Sequence, residues 1–279
     1  MAIFAALTLF GLIILYPFYN TMLISVVSQS EYMSRPFMLW PKEFTLSSYK
    51  FVFSSPLIVS GFRTSLIVTV VGTIYSMFFT VTIAYALMKD FPGRGIFRGM
   101  LLFTMYFSGG LIPTYLLMKT LHLLNTIWVL IIPTGATVSY IILLQRFFED
   151  VPSELEESAK LDGCTEVGVL FRIILPLSLP SLATFSLYYA VGRWKAWYDG
   201  MLYIKSVTKQ PIQTVLRSVI QDANAIQGDN LATDLQADKV YAEGVKMATV
   251  FVTMLPIMCL YPFLQKYFVS GLTAGAVKS

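Results

Sequence analysis

Charged residues fall in clusters along this chain, separated by long stretches that contain no Asp, Glu, Lys or Arg. Six such stretches stand out, at 1–30, 64–88, 99–118, 123–145, 173–192 and 247–265. A helix rises about 1.5 Å per residue, so about 20 residues cross a hydrocarbon core of about 30 Å. Each stretch reaches roughly that length. The pattern predicts an all-α chain with six membrane-spanning helices, over 2–28, 64–88, 99–118, 124–146, 175–198 and 246–266. The longest polar connections, 29–63 and 199–245, then lie on one side of the membrane. A short basic connection, 89–98, and an acidic insert, 151–172, lie on the other.

The first long connection carries Arg35-Pro36, Trp40-Pro41 and Ser55-Pro56. A residue before proline is pushed away from helical geometry. This segment should therefore be a largely non-helical cover, with a short helix around 46–53. In the second, Ile212, Val215, Leu216, Val219 and Ile220 recur at helical spacing and predict an amphipathic helix. Such a helix could lie on the membrane surface, cover a cavity or meet a partner.

Composition narrows the class. Of 279 residues, 56% are hydrophobic and 13% charged, with a mean hydropathy of +0.67, too apolar for an ordinary soluble domain. A membrane barrel would show segments of about 10 residues alternating in polarity, which the chain lacks. Cys164 and Cys259 have no metal or disulfide spacing, and a single histidine, His122, excludes an H-E-x-x-H zinc hydrolase. No Gly-Lys pair occurs, so the chain has no phosphate-binding G-x-x-x-x-G-K-[ST] loop. A serine nucleophile would lack a convincing general base. The alternative of a self-contained secondary carrier would call for inverted repeats and intramembrane charges; neither is evident. We expect no catalytic residue, no metal site and no nucleic-acid partner.

The acidic insert has the marks of a short helix. Pro152-Ser153-x-x-Glu156 reads as a start, with Ser153 capping the backbone and Glu156 reaching back to complete a capping box. Glu154, Glu156 and Glu157 suit the positive end of the helix dipole. A helix over 154–162 would stop at Gly163 in left-handed geometry. A second helical piece over 165–174 leads to Pro176 and Pro180 at the return to the membrane.

The same insert carries a longer pattern, E-S-A-x₃-G-x₉-I-x-L-P, at Glu157, Ser158, Ala159, Gly163, Ile173, Leu175 and Pro176. It resembles the EAA loop of permeases in binding-protein-dependent ABC importers, with Ser158 in place of the first alanine. Gln210-Pro211-Ile212-Gln213-Thr214-Val215-Leu216-Arg217 and the ending Gly271-Leu272-Thr273-Ala274-Gly275-Ala276-Val277-Lys278-Ser279 extend the likeness. Together they resemble the carbohydrate class of these permeases, in the subunit type of the smaller maltose-transporter permease and nearer its polysaccharide and complex-oligosaccharide members. The resemblance implies an integral membrane permease of type I importer fold with a cytosolic coupling-helix loop. In it Glu157 faces polar or basic groups of an ATPase subunit, Ala159 allows close approach and Gly163 makes the bend. Gly271, Leu272, Thr273, Ala274 and Gly275 belong to a tail that enters the ATPase interface. The partners implied are a second homologous permease, two ATPase subunits that bind ATP and magnesium, an extracytoplasmic sugar-binding protein and an oligosaccharide. This chain itself needs no cofactor.

Placing the insert beside its motor puts both termini in the cytoplasm of a bacterial plasma membrane. Eight Lys or Arg then lie inside (89, 94, 98, 146, 160, 172, 266 and 278) and the other twelve outside, so orientation rests on the motif rather than on charge. A sugar path wants aromatic platforms and short polar groups. The candidates are Tyr106, Tyr140, Tyr188, Tyr189, Arg193, Trp194 and Trp197. Arg193, near a span end, would either snorkel to the surface or face a water-filled path; with Lys195 it would favour acidic oligosaccharides.

Overall fold

A computed structural model describes residues 2–35, 38–225 and 241–276, with side chains described over 3–35, 38–221 and 241–259. The regular structure of the described residues is helical throughout. In chain order the helices are α1 (Ala2–Ser25), α2 (Gln29–Ser34), α3 (Ser47–Ser54), α4 (Pro56–Met88), α5 (Arg94–Tyr106) and α6 (Leu111–Thr120). Then follow α7 (Val138–Glu149), α8 (Ser153–Leu161), α9 (Glu166–Val169), α10 (Leu175–Leu177), α11 (Leu179–Lys195), α12 (Tyr198–Tyr203), α13 (Ile212–Ala225) and α14 (Ala242–Ala276).

Among the described residues, three helices are long and apolar enough to cross a membrane: Ile3–Ser25, Pro56–Met88 and Ala242–Cys259. Two further candidates are bent pairs. Arg94–Tyr106 meets Leu111–Thr120 at 114°, and Glu166–Leu177 meets Leu179–Lys195 at 85°. The first bend falls at Gly109-Gly110, where Gly110 takes φ +83, a region closed to most side chains. At the second, Pro176 and Pro180 each lack the N–H that a helix interior requires. The turn before Pro176, Leu170–Ile174, is wound as a π-helix, and Ser178 N donates to Ile174 O at 3.0 Å and Leu175 O at 3.2 Å.

The stretch expected as a continuous span over 124–146 is not one helix. It contains a 3-10 turn, Ile127–Leu130, then an irregular passage through Pro133 and Gly135, and becomes α-helical at Val138. The absence of charge made it look like a span; proline and glycine decided its backbone. Conversely, α4 begins eight residues before the charge-free stretch it contains and includes Arg63.

The chain divides into two compact units, residues 1–65 with 206–258 and residues 66–205 with 259–279. In the first, Leu23, Ile24 and Val27 pack with Met38 and Tyr241, whose hydroxyl donates to Ile24 O at 2.7 Å. Glu31 is buried and accepts from the backbone N–H of Lys42 and Glu43 at 2.7 and 3.3 Å, which fixes the cover segment. The amphipathic helix appears as α13, with Ile212 and Val215 fully buried. Gly61 admits it closely: a Cβ there would lie 3.1 Å from Val215 and 3.3 Å from Ile212 Cα. Ser65 Oγ accepts the Ile212 N–H at 2.8 Å, satisfying a donor that a helix start leaves open. The apolar face of α13 thus begins by packing inside its own unit. Residues 226–240 of the expected 199–245 connection lie outside the described residues.

In the second unit, Leu87 and Tyr85 from the end of α4, Leu144 and Phe148 from α7, Ile174 and Phe185 form the main core. Val68, Met118, Ile131 and Ile204 belong to another cluster.

Candidate functional site

The acidic insert forms a bent helical pair. Residues 153–161 are helical, but the start differs from the expected capping box: Pro152 occupies the cap position, Ser153 is the first helical residue and no side chain caps the backbone. Glu156 is committed elsewhere. Its carboxylate pairs with Lys89, and with Lys160 at 2.8 Å. Lys160 also reaches Glu166 at 2.6 Å, and Lys89 lies 3.4 Å from Glu166. Tyr85 donates to the Glu166 carboxylate at 2.9 Å, and the Lys89 ammonium sits 4.8 Å from the centre of the Tyr85 ring. Two carboxylates and two ammonium groups therefore bind α8, α9 and the base of α4 into one cluster.

The charges tune one another. The hydrogen bond from Lys160 is the main reason that the Glu166 carboxyl is held down at about 2, with Tyr85 and Lys89 acting in the same direction against partial burial. Partial burial alone would raise Glu156, but the bonds from Lys160 and Lys89 outweigh it and keep it below the ordinary carboxyl range. Lys160 is raised, first by its bond to Glu156 and then by that to Glu166.

Gly163 closes the first helix with φ +82. Cys164 N donates to Ala159 O at 2.9 Å and Gly163 N to Lys160 O at 3.0 Å, the paired bonds of a Schellman stop. Thr165 then caps α9 by accepting from Gly168 N at 3.2 Å. Glu157 and Ser158 point to solvent, while Ala159 packs inward against the core. Ile173 and Leu175 are half-buried and Pro176 is exposed. Leu161, Val167 and Phe171 leave apolar surface outside, with Leu161 89% exposed. The motif did not single out these three; exposure of large apolar groups on a charged loop is the signal that finds them.

Behind the loop, Gln145 is buried and donates to Leu87 O at 3.3 Å and to Glu149 at 2.6 Å. Glu149 also pairs with Arg146 at 2.9 Å and lies 3.9 Å from Arg94. The basic connection 89–98 is thus held against α7 as well as α8.

The path candidates separate into groups. Tyr140 lies 5.8 Å from Tyr188 and 5.1 Å from Tyr189 between ring centres, with Phe185 at 5.5 Å. Tyr188 is exposed and Tyr189 buried. Tyr106 stands exposed at the end of α5, Trp194 is buried, and Trp197 meets Tyr198 edge-on at 5.6 Å. Arg193 neither snorkels nor faces an open path. It is only 8% exposed, and its guanidinium donates to Leu130 O at 2.8 Å, Ser76 Oγ at 2.6 Å, Thr134 O at 3.1 Å and Ile131 O at 3.3 Å. The carbonyls freed by the irregular passage drew it inward, a need invisible when 124–146 is read as a regular helix. Lys195 is exposed. Gly271, Leu272, Thr273, Ala274 and Gly275 fall in the last turns of α14, and their side chains lie outside the described residues. Among the described residues, no group of three or more His, Cys, Asp or Glu could hold a metal ion.

Comparison with known proteins places this architecture. Residues 32–274 match the family model for the binding-protein-dependent transport system inner membrane component. The chain is 44% identical over 271 residues to Protein LplC of Bacillus subtilis, covering 96% of this chain and 90% of that protein. It is 40% identical over 279 residues to the polygalacturonan/rhamnogalacturonan transport system permease protein YtcP of the same organism, covering 100% and 97%. Its fold is similar to a chain in the crystal structure of a bacterial ABC transporter involved in the import of the acidic polysaccharide alginate, with TM-score 0.89, 31% identity and coverage of 95% and 94%. A chain of a bacterial alginate ABC transporter in complex with a pentasaccharide-bound periplasmic protein shares the fold at TM-score 0.54 and 14% identity. The helical architecture is thus that of an ABC importer permease, and the chain belongs to the family of binding-protein-dependent transport system inner membrane components.

Proposed function

We propose that this chain is one of two permease subunits of an ATP-driven importer that takes up fragments of acidic polysaccharides, and that residues 151–172 receive the force of ATP hydrolysis. The observation that carries the coupling role is the α8–Gly163–α9 bend, with apolar Leu161, Val167 and Phe171 facing out and the ion cluster fastening its inner side to α4. A partner groove can cover the outer face while the inner face passes displacement into the membrane helices. Glu157 and Ser158, exposed on α8, are the groups offered to that groove.

The substrate class rests on the relatives, whose names refer to polygalacturonan, rhamnogalacturonan and alginate. Tyr188, accessible beside Tyr140, supplies a flat face suited to sugar rings, with the buried Tyr189 packed behind them. Tyr106 and Trp197 add further aromatic surface. The outward apolar surface of α1 suits lipid or the second permease. A binding protein delivers the oligosaccharide from outside, the ATPase subunits bind ATP and magnesium inside, and both termini are cytoplasmic. The tail 271–275 approaches the ATPase pair.

Affinity purification of the full chain in mild detergent, followed by identification of co-purifying subunits and reconstitution in liposomes, tests this reading. ATP-dependent uptake of trigalacturonate in preference to maltotriose is expected. Uptake without an ATPase subunit would overturn it.

A further inference from the structure

The interruption in the fourth apolar stretch leaves backbone oxygens without helical partners beside the buried Leu130 and Ile131, where little water replaces a lost helical bond. Arg193 meets this need with a planar fork of donors suited to several acceptors at once. It gathers the carbonyls of Leu130, Ile131 and Thr134 and adds Ser76 of α4. Four residues earlier, and so on the same face of α11, Tyr189 continues the grip. Its hydroxyl accepts from Thr137 N at 2.9 Å and shares a 2.7 Å hydrogen bond with Thr80 Oγ1 of α4.

The space for the guanidinium comes from Gly72. A Cβ at that position would lie 2.6 Å from Arg193 Nε and 2.7 Å from both Cδ and Cζ. Nε faces this wall with no hydrogen-bond partner among the described residues. The donors are directed at protein oxygens, so Arg193 is not presented to a passing solute.

α11 is also the helix into which the acidic insert runs, through α9, the π-turn and the bend at Ser178. We propose that Arg193 and Tyr189 form a clamp by which α11 carries residues 127–137 with it, so that movement of the coupling loop reaches the interrupted element. This inference rests on the transport reading above and makes both side chains positioning residues. Arg193 thereby acts on the shape of the path rather than on the charge of the sugar.

The test uses the full chain in its complete transporter complex. With Cys164 and Cys259 replaced by serine, nitroxide labels are placed at Ala136 and Leu179, and their separation is measured without nucleotide and with ATP held unhydrolysed. The clamp requires one separation in both states, and a second, nucleotide-dependent separation in Arg193→Gln. In parallel, uptake per ATP should fall about tenfold or more in Arg193→Gln, which removes the charge and part of the four-bond fork, with Arg193→Lys recovering part. The ratio of trigalacturonate to maltotriose uptake should not change.

If Arg193→Gln fails to assemble, Gly72→Ala displaces the guanidinium more gently and must reproduce the label separation. A nucleotide-dependent separation in the unaltered clamp, or full coupling in Gly72→Ala, would overturn the proposal. A selective loss of trigalacturonate uptake would overturn it in favour of direct sugar contact. Absence of any ATP-dependent uptake by the wild-type complex would overturn the transport reading and the clamp's role with it. Uptake by wild type with coupled variants overturns the clamp alone.

Discussion

Two polar assemblies in the second unit solve opposite problems. The cluster of Lys89, Glu156, Lys160 and Glu166 joins ion pairs at a partly wet surface, whereas Arg193 stands buried among neutral oxygens. Exposed ion pairs each contribute roughly 0–1 kcal/mol, because water competes for both partners. A buried group left unpaired costs about 1–3 kcal/mol, and more in hydrocarbon, where nothing competes. The surface cluster can therefore break and re-form at little cost. The buried one has no comparable alternative and should stay closed.

The largest test of this contrast is Arg193→Leu. It strands the Leu130 and Ile131 carbonyls, leaves Thr134 O only its 3.4 Å bond from Ser76 Oγ, and should destabilise the purified protein by about 3 kcal/mol or more, read as a loss of thermal stability in detergent. Next is Glu156→Lys, which removes two pairs and sets three cations together. A cost of about 1–2 kcal/mol is expected, mainly as faster proteolysis of the loop. Adding Lys89→Glu should recover only part, because Lys160 and Glu166 still face their new neighbours unfavourably.

Gly163→Val adds a branched side chain at φ +82 with open space around it, so backbone strain alone is tested. About 1–2 kcal/mol of local destabilisation should accompany uncoupled ATP hydrolysis. The smallest effect is Lys160→Met. Glu166, depressed to about 2, contributes stability that is complete above the unfolded carboxyl value of about 4.3 and is lost as pH falls through the folded value. The difference in melting temperature between wild type and Lys160→Met should therefore shrink between those limits. High salt should also shrink it, while leaving the Arg193→Leu difference unchanged.

Much of the loop was legible in the chain. Gly163 and the spacing around it placed the bend, since a residue without a side chain is the natural occupant of left-handed geometry. Glu156 departs from its local pattern: the spacing assigns its carboxylate to the backbone, while the folded connection brings Lys89 beside it. Local pattern cannot report a partner 67 residues away. Pro133 and Gly135 break the helix within 124–146, and a reading from freedom of charge alone passes over them. Once that break is missed, Arg193 has no visible reason to turn inward. The break and the inward arginine are thus one feature.

Gly72 extends that lesson to heredity. Because a lone hydrogen atom there vacates the room that a guanidinium fills, neither position is at liberty to drift by itself. Descendants that acquire alanine or serine at 72 should also have exchanged their arginine for a slimmer residue and re-straightened the neighbouring passage. A pair of sites so far apart in the chain would then change in concert, leaving a record of the joint in the divergence of its carriers.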